Sequence, residues 1–223
     1  MSYYPVLIQL DGKKVIVVGG GTVAERKIET LLEYGASVQV VSRELTPRLR
    51  KYRQEGAIGY LGQEFNEDCL EEAFMVITAT DDPRFNHQVS EKAKKKGLLV
   101  NVVDQPSDCN FILPSILRRG DLLIAVSTSG KSPALAKKVR EALEEKFGNE
   151  YESFLVLMGR IREEIRSQGL SQDENRRIFH DLVNSPLLEA IARKDWNEVA
   201  TILNGIIPGR LSSKDVINYL KVE

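Results

Sequence analysis

Along the first hundred residues, short continuous apolar runs alternate with longer stretches whose apolar positions recur at helical spacing. Val15, Ile16, Val17 and Val18 form a β-branched run suited to a strand covered on both faces, and Ala24, Ile28, Leu31 and Leu32 then fall on one side of a helix. Residues 37–41 read as a second strand. Residues 44–54 read as a helix opened by Thr46 as cap and Pro47 in the first turn. Residues 57–61 and 74–79 supply further strands, Asp82-Pro83 opens a helix that runs to Lys96 and stops at Gly97, and residues 98–103 form the next strand. Alternation of this kind implies right-handed crossovers and a parallel sheet with helices on both faces.

The rhythm changes after Asp104. Residues 110–117 and 122–127, joined by the turn Arg119-Gly120-Asp121, read as a hairpin, because the connection is too short for a parallel crossover. Ser132-Pro133 caps a helix over 134–147, and from Tyr151 onward only helical periodicity remains. Three parts are therefore expected: an α/β domain over 1–112, a hairpin-plus-helix segment over 113–148 and an all-helical domain over 149–223. The hairpin's unpaired edges need covering, which predicts a homodimer built on the 113–148 segment.

The first strand runs straight into Gly19-Gly20-Gly21-Thr22-Val23-Ala24, which reads as G-x-G-x-x-A. In a strand-turn-helix context this is a dinucleotide-binding, Rossmann-like turn: Gly19 for the tight turn, Gly21 for close approach of a pyrophosphate, Ala24 for helix-strand packing. Amides at the helix start, including those of Thr22 and Val23, would meet the phosphates. The second strand ends in Ser42-Arg43-Glu44 rather than in an acid. The absence of Asp or Glu at Ser42 weakens a plain NAD reading, Arg43 suits a 2′-phosphate, and Glu44 suits the ribose, so the residues alone leave the cofactor open.

Composition narrows the partners. Acidic and basic residues nearly cancel to a formal net charge of -1, so nothing marks a general nucleic-acid binder. No apolar run approaches membrane-spanning length and the first residues do not form a secretory leader, so cytoplasmic residence is expected. Cys69, Cys109, His87 and His180 show no metal-ligand spacing, and no resident metal is expected.

Three further segments carry candidate chemistry. Thr78-Ala79-Thr80-Asp81-Asp82 leaves the carboxyl end of a strand, where ligands of open α/β sheets collect, so Thr80 is a cofactor-site candidate, while Asp82 before Pro83 reads as a helix cap. Asn101-Val102-Val103-Asp104 ends the next strand at the same edge, which makes Asn101 a cofactor-site candidate and Asp104 a candidate general base. Residues 127–133, with Thr128, Ser129 and Lys131, form a polar loop into a helix that resembles an anion cradle of hydroxyls and free amides.

GGGTVAERK, ITATDD, NVVD, FILPSIL and AVSTSGKSPALAKKVRE, in this order and spacing, resemble the precorrin-2 dehydrogenase family, which includes the dehydrogenase/ferrochelatase part of siroheme synthases. The resemblance implies NAD-dependent oxidation of precorrin-2 to sirohydrochlorin, with insertion of ferrous iron by many members. It also implies a nucleotide-binding domain, a dimerisation segment and a helical domain. The family's cofactor contacts fall on Thr22, Val23, Arg43 and Glu44, which favours NAD, and its catalytic aspartate falls on Asp104. A loop serine that some members use toward the tetrapyrrole is matched by Thr128, which keeps the hydroxyl and adds a methyl. No methyltransferase domain follows before Glu223, so a stand-alone version is expected. The substrate's carboxylates call for cations, with Arg118, Arg119 and Lys131 as candidates. A dinucleotide-sensing regulator without catalysis is the alternative, and it would need no base at Asp104.

Overall fold

The computed structural model describes residues 3–207 and 212–220. The chain divides into two compact units, residues 1–113 and 114–223. In the first unit, strands β1 (Lys14–Val18), β2 (Ser37–Val41), β3 (Gly59–Gly62), β4 (Met75–Thr78) and β5 (Leu99–Val102) form one sheet in the order β3-β2-β1-β4-β5. All four pairings are parallel. Helices α1 (Thr22–Glu33), α2 (Pro47–Gln54) and α3 (Pro83–Lys95) make the crossovers.

The sheet is covered on both faces, as its continuous apolar runs require. Val15, Val17, Val38, Val40 and Ile77 pack with Ala24, Ile28 and Leu31 of α1 and Leu49 of α2. The alternate residues Ile16, Val18, Val76, Val100 and Val102 pack with Val89 and Ala93 of α3 and with Leu70. Strand order reverses at β1, so the crevice outside the carboxyl ends of β1 and β4 is the expected ligand position.

Starts follow the predicted caps. The Thr46 hydroxyl accepts from the Leu49 amide at 3.2 Å, and the Asp82 carboxylate accepts from the Arg84 and Phe85 amides at 2.9 and 3.1 Å. Asp82 is thus the cap of α3. Residues 110–114, expected as part of a strand, are not one. Asn110 instead binds the outer edge of β5: its side chain accepts from Val100 N–H at 2.7 Å and donates to the Leu98 carbonyl at 2.8 Å.

In the second unit, β6 (Ser115–Arg119) and β7 (Leu122–Val126) form an antiparallel hairpin around Gly120, whose φ of 55° suits the tight turn. Helix α4 (Pro133–Lys146), capped by the Ser132 hydroxyl, packs on both strands. Helices α5 (Glu150–Ser167), α6 (Gln172–Asn184), α7 (Leu187–Ala192), α8 (Trp196–Ile206) and α9 (Ser213–Leu220) complete it around Leu157, Ile161, Leu182, Leu187, Leu203 and Val216. Val222 and the other residues after Leu220 lie outside the described residues. Among the described residues no helix is long and apolar enough to cross a membrane.

Candidate functional site

The glycine turn is wedged between the ends of β2 and β4. A Cβ at Gly19, whose φ is 123°, would collide with the Ala79 carbonyl. A Cβ at Gly20 would strike the Glu44 carbonyl, and the Gly20 carbonyl accepts from Thr46 N–H at 3.0 Å. Gly21 differs, because a Cβ there would meet nothing within 4 Å. The turn is therefore closed behind and open in front. Gly21 is also the N-cap of α1 and supplies no side-chain acceptor, whereas α2 and α3 are capped by side chains. The first-turn amides of α1, those of Thr22 and Val23 among them, are thus left without a side-chain cap at the open position, the arrangement that receives a pyrophosphate. Glu25 of α1 accepts a hydrogen bond from the Thr46 hydroxyl, tying this helix to the start of α2. Two residues further on, burial, helped by the neighbouring Arg26, pushes the Lys27 ammonium below its ordinary pKa.

At the end of β2 the Ser42 hydroxyl donates to the Glu44 carbonyl at 2.7 Å, and the Ser42 carbonyl accepts from the Tyr60 hydroxyl at 2.7 Å. The short loop is held from both sides, with Arg43 and Glu44 exposed on its rim.

Beyond β4, Thr80 is held by a residue that the sequence reading passed over. Asn86 of α3 is buried; its Oδ1 accepts from the Thr80 hydroxyl at 2.7 Å, and its Nδ2 donates to the Thr80 carbonyl at 2.9 Å. The Thr80 amide points at the same Oδ1 at 3.4 Å. The usable signal was Asn86 standing on the inward stripe with Val89, Ser90 and Ala93, where an unneeded amide side chain is costly.

Asp104 lies in the turn after β5, exposed, with a left-handed φ of 59°, and its carboxylate makes no hydrogen bond or ion pair among the described residues. A sulfur holds the turn behind it: Cys109 Sγ accepts from Val102 N–H at 3.1 Å and lies 3.5 Å from the Gln105 carbonyl. Asn101 donates to the Phe111 carbonyl at 3.3 Å and so also braces this segment. The buried Asp108 carboxylate pairs with His87 Nδ1 at 2.9 Å, and its carbonyl accepts from the Ser90 hydroxyl at 2.7 Å. Among the described residues no group of three or more His, Cys, Asp or Glu side chains could hold a metal ion.

The polar loop of the second unit closes on itself. Ser127 Oγ accepts from Ser129 N–H at 3.0 Å, and the Thr128 hydroxyl and carbonyl accept from Ser132 N–H and Lys131 N–H, each at 3.0 Å. The amides of Ser129, Lys131 and Ser132 are thus already used, two of them by short hydroxyl side chains that satisfy nearby backbone donors. The hydroxyl protons and the exposed Lys131 ammonium remain as ligand groups, and Ser129 sits at a left-handed φ of 53°. Arg118 and Arg119 stand at the opposite end of the hairpin from this loop, since Ser115 pairs with Val126 and Arg119 with Leu122. Arg119 Nε donates to the Phe147 carbonyl at 3.0 Å and Arg118 Nε to the Gly120 carbonyl at 3.0 Å.

Comparison with known proteins gives this geometry a context. A family model described as NAD(P)-binding matches residues 6–115, and one described as the central part of a sirohaem biosynthesis protein matches residues 119–146. The siroheme synthase of Photorhabdus laumondii is 38% identical over 192 residues, which is 86% of this chain and 41% of the relative. Siroheme synthase 1 of Serratia proteamaculans is 41% identical over 179 residues, 80% of this chain and 38% of the relative. Among solved structures, SirC, precorrin-2 dehydrogenase, superposes with a TM-score of 0.75 at 27% identity and covers 92% of this chain and 98% of its own. The chain belongs to the precorrin-2 dehydrogenase and siroheme synthase family. It spans about two fifths of the length of the curated relatives it matches.

Within that family's frame the first unit is its NAD(P)-binding domain, and the residues present fit a dinucleotide. The open cradle at Gly21 and the first turn of α1 offer neutral donors and no competing carboxylate at the cap itself. The second unit opens with the segment that the family's central model covers.

Proposed function

We propose that this chain oxidises precorrin-2 to sirohydrochlorin with NAD in the formation of siroheme. The observation that carries the reading is the likeness over nearly the whole chain to the solved precorrin-2 dehydrogenase. The reaction takes a hydride and a proton from the tetrapyrrole. NAD, when bound, supplies the hydride acceptor. The protein has to hold the ring in place and receive the proton, which requires few groups. Asp104 is our assignment for the proton, because its carboxylate is exposed at the carboxyl edge of the sheet and unpaired among the described residues. Its left-handed backbone is a local cost of the kind that collects at functional turns. Thr22, Val23, Thr80 and the loop from Ser42 to Glu44 hold the dinucleotide, with Asn101 bracing the Asp104 turn from behind.

For the substrate's carboxylates we assign Thr128, Ser129 and Lys131 in one group and Arg118 and Arg119 in another, at the two ends of the hairpin. Each contact would be a charge-assisted hydrogen bond or a hydroxyl donor. The experiment is incubation with precorrin-2 and NAD, followed by an absorbance scan for the oxidised macrocycle. Product with NAD and none without it is expected; absence of oxidation by a protein that still binds NAD would leave only a dinucleotide-binding regulator.

Ferrous iron enters the same proposal as a second substrate, inserted into sirohydrochlorin with the ring nitrogens as final ligands and Asp104 taking up their protons. Insertion no faster than the spontaneous rate under anaerobic conditions would reduce the assignment to the dehydrogenase. We further propose a cytoplasmic homodimer joined through the 113–148 segment. Leu135 and Val139 of α4 are 51% and 39% exposed, and one helical turn separates them, so α4 presents an apolar strip. Light scattering that reports a fully active monomer would overturn the dimer.

A further inference from the structure

The rim beyond β2 carries a feature that dinucleotide binding at the glycine turn does not by itself require. Arg43, Glu44, Arg50, Arg53, Tyr60 and Gln63 line a shallow depression of about 390 Å³. Three guanidinium groups face one carboxylate there. On α2, Arg50 and Arg53 are one turn apart and share this face. Arg48 instead pairs with Glu29 and donates to the Tyr52 hydroxyl, and Lys51 pairs with Glu55. Arg43 and Arg50 make no ion pair among the described residues, and the Arg53 guanidinium is stacked 4.0 Å from the centre of the Tyr60 ring. That ring is in turn anchored by its hydroxyl to the Ser42 carbonyl. The Tyr60 side of the depression is therefore fixed, and the charge of its lining, three guanidinium groups against the Glu44 carboxylate, is net positive.

Position gives this charge a ligand. In a dinucleotide seated at the glycine turn, the ribose next to adenine lies at the end of the second strand, where an acid selects the free 2′-hydroxyl and an arginine accommodates a 2′-phosphate. Here the strand ends in Ser42, whose hydroxyl is committed to the Glu44 carbonyl at 2.7 Å. We propose that Arg43, Arg50 and Arg53 form a subsite for the 2′-phosphate, so that the chain accepts NADP as well as NAD. This rests on the dinucleotide reading above and replaces the simple NAD preference that the family resemblance favours. Glu44 opposes the phosphate, and the two unpaired arginines outweigh it.

The test is calorimetric and needs no substrate. The full chain is titrated with AMP, adenosine 2′,5′-bisphosphate, adenosine 3′,5′-bisphosphate and NAD. The 2′,5′-bisphosphate binds about tenfold or more tighter than AMP, as expected of arginine–phosphate contacts, and the isomer of equal charge gains less. The advantage shrinks as salt rises, because the arginines are exposed. Arg50→Gln removes most of the advantage, and Arg48→Gln, which lies outside the depression, keeps it. If NAD and AMP bind but the 2′-phosphate adds nothing, or if the two bisphosphates bind alike, the subsite is overturned and the dinucleotide site stands. If neither AMP nor NAD binds, both fall.

Discussion

Gly21→Asp should move stability and cofactor affinity in opposite directions. Gly21 is the N-cap of α1 with φ −81° and ψ −174°, an extended conformation open to any residue, and a Cβ there meets nothing within 4 Å. Aspartate is a preferred N-cap and should bond one of the first-turn amides, a gain over glycine of only a few tenths of a kcal/mol. The same carboxylate would then occupy the donors that a pyrophosphate needs and place a charge beside it. At a separation of about 4 Å and the effective dielectric of a protein surface, one such like-charge pair costs about 4 kcal/mol, roughly a thousandfold in affinity. Urea unfolding and calorimetric titration with NAD measure the two effects separately. Gly21→Ala, which adds bulk without charge, should lose much less affinity. An Asp variant that binds NAD within tenfold of the unmodified protein would refute the reasoning and move the pyrophosphate away from this turn.

The neighbouring glycine behaves differently: Gly19→Ala forces a Cβ into the Ala79 carbonyl at a φ of 123° and should destabilise the first unit by about 2 kcal/mol or more in a urea titration. Asp104→Asn keeps shape and removes basicity, so it should retain NAD binding while single-turnover oxidation slows by about 10²-fold or more; oxidation at the unmodified rate would make this carboxylate structural. Asn86→Ala deletes the clamp on Thr80 and should cost about 2 kcal/mol, with Thr80→Val much less than additive on top of it in a double-mutant cycle. Tyr219 is pushed up to about 12 by burial and by its 2.8 Å hydrogen bond to Glu164. Its stabilising share is therefore full below the ordinary tyrosine value near 10.0 and lost as pH climbs through about 12, so Tyr219→Phe should flatten the alkaline fall in unfolding midpoint.

What was legible in the chain, and what was not, follows from the range of the forces involved. β1 and β2 lie where the β-branched runs put them, because burial on both faces of a parallel sheet leaves no other use for such runs. Thr46-Pro47 and Asp82-Pro83 were readable as helix starts for a local reason: the cap and the amide it serves are only a few residues apart. Most of the misreadings have the opposite property. Residues 110–114 have strand-like composition, yet Asn110 spends its side chain on the edge of β5, ten and twelve residues back. The loop before α4 has the composition of an anion cradle, but its hydroxyls and carbonyls find their own amides first. Arg118 and Lys131 look like one basic group along the chain, while antiparallel pairing sends them to opposite ends of a hairpin. Asn86 is the sharpest case: its inward place on α3 marks an amide that must be paired, but the identity of the partner is fixed only when β4 delivers Thr80 beside it. Periodicity thus carries the scaffold, whereas the groups that aim the site are set by side-chain bonds to backbone brought near only by the fold. The Thr80–Asn86 coupling is consequently the measurement most diagnostic of the site's architecture, because no helix or strand propensity would produce it.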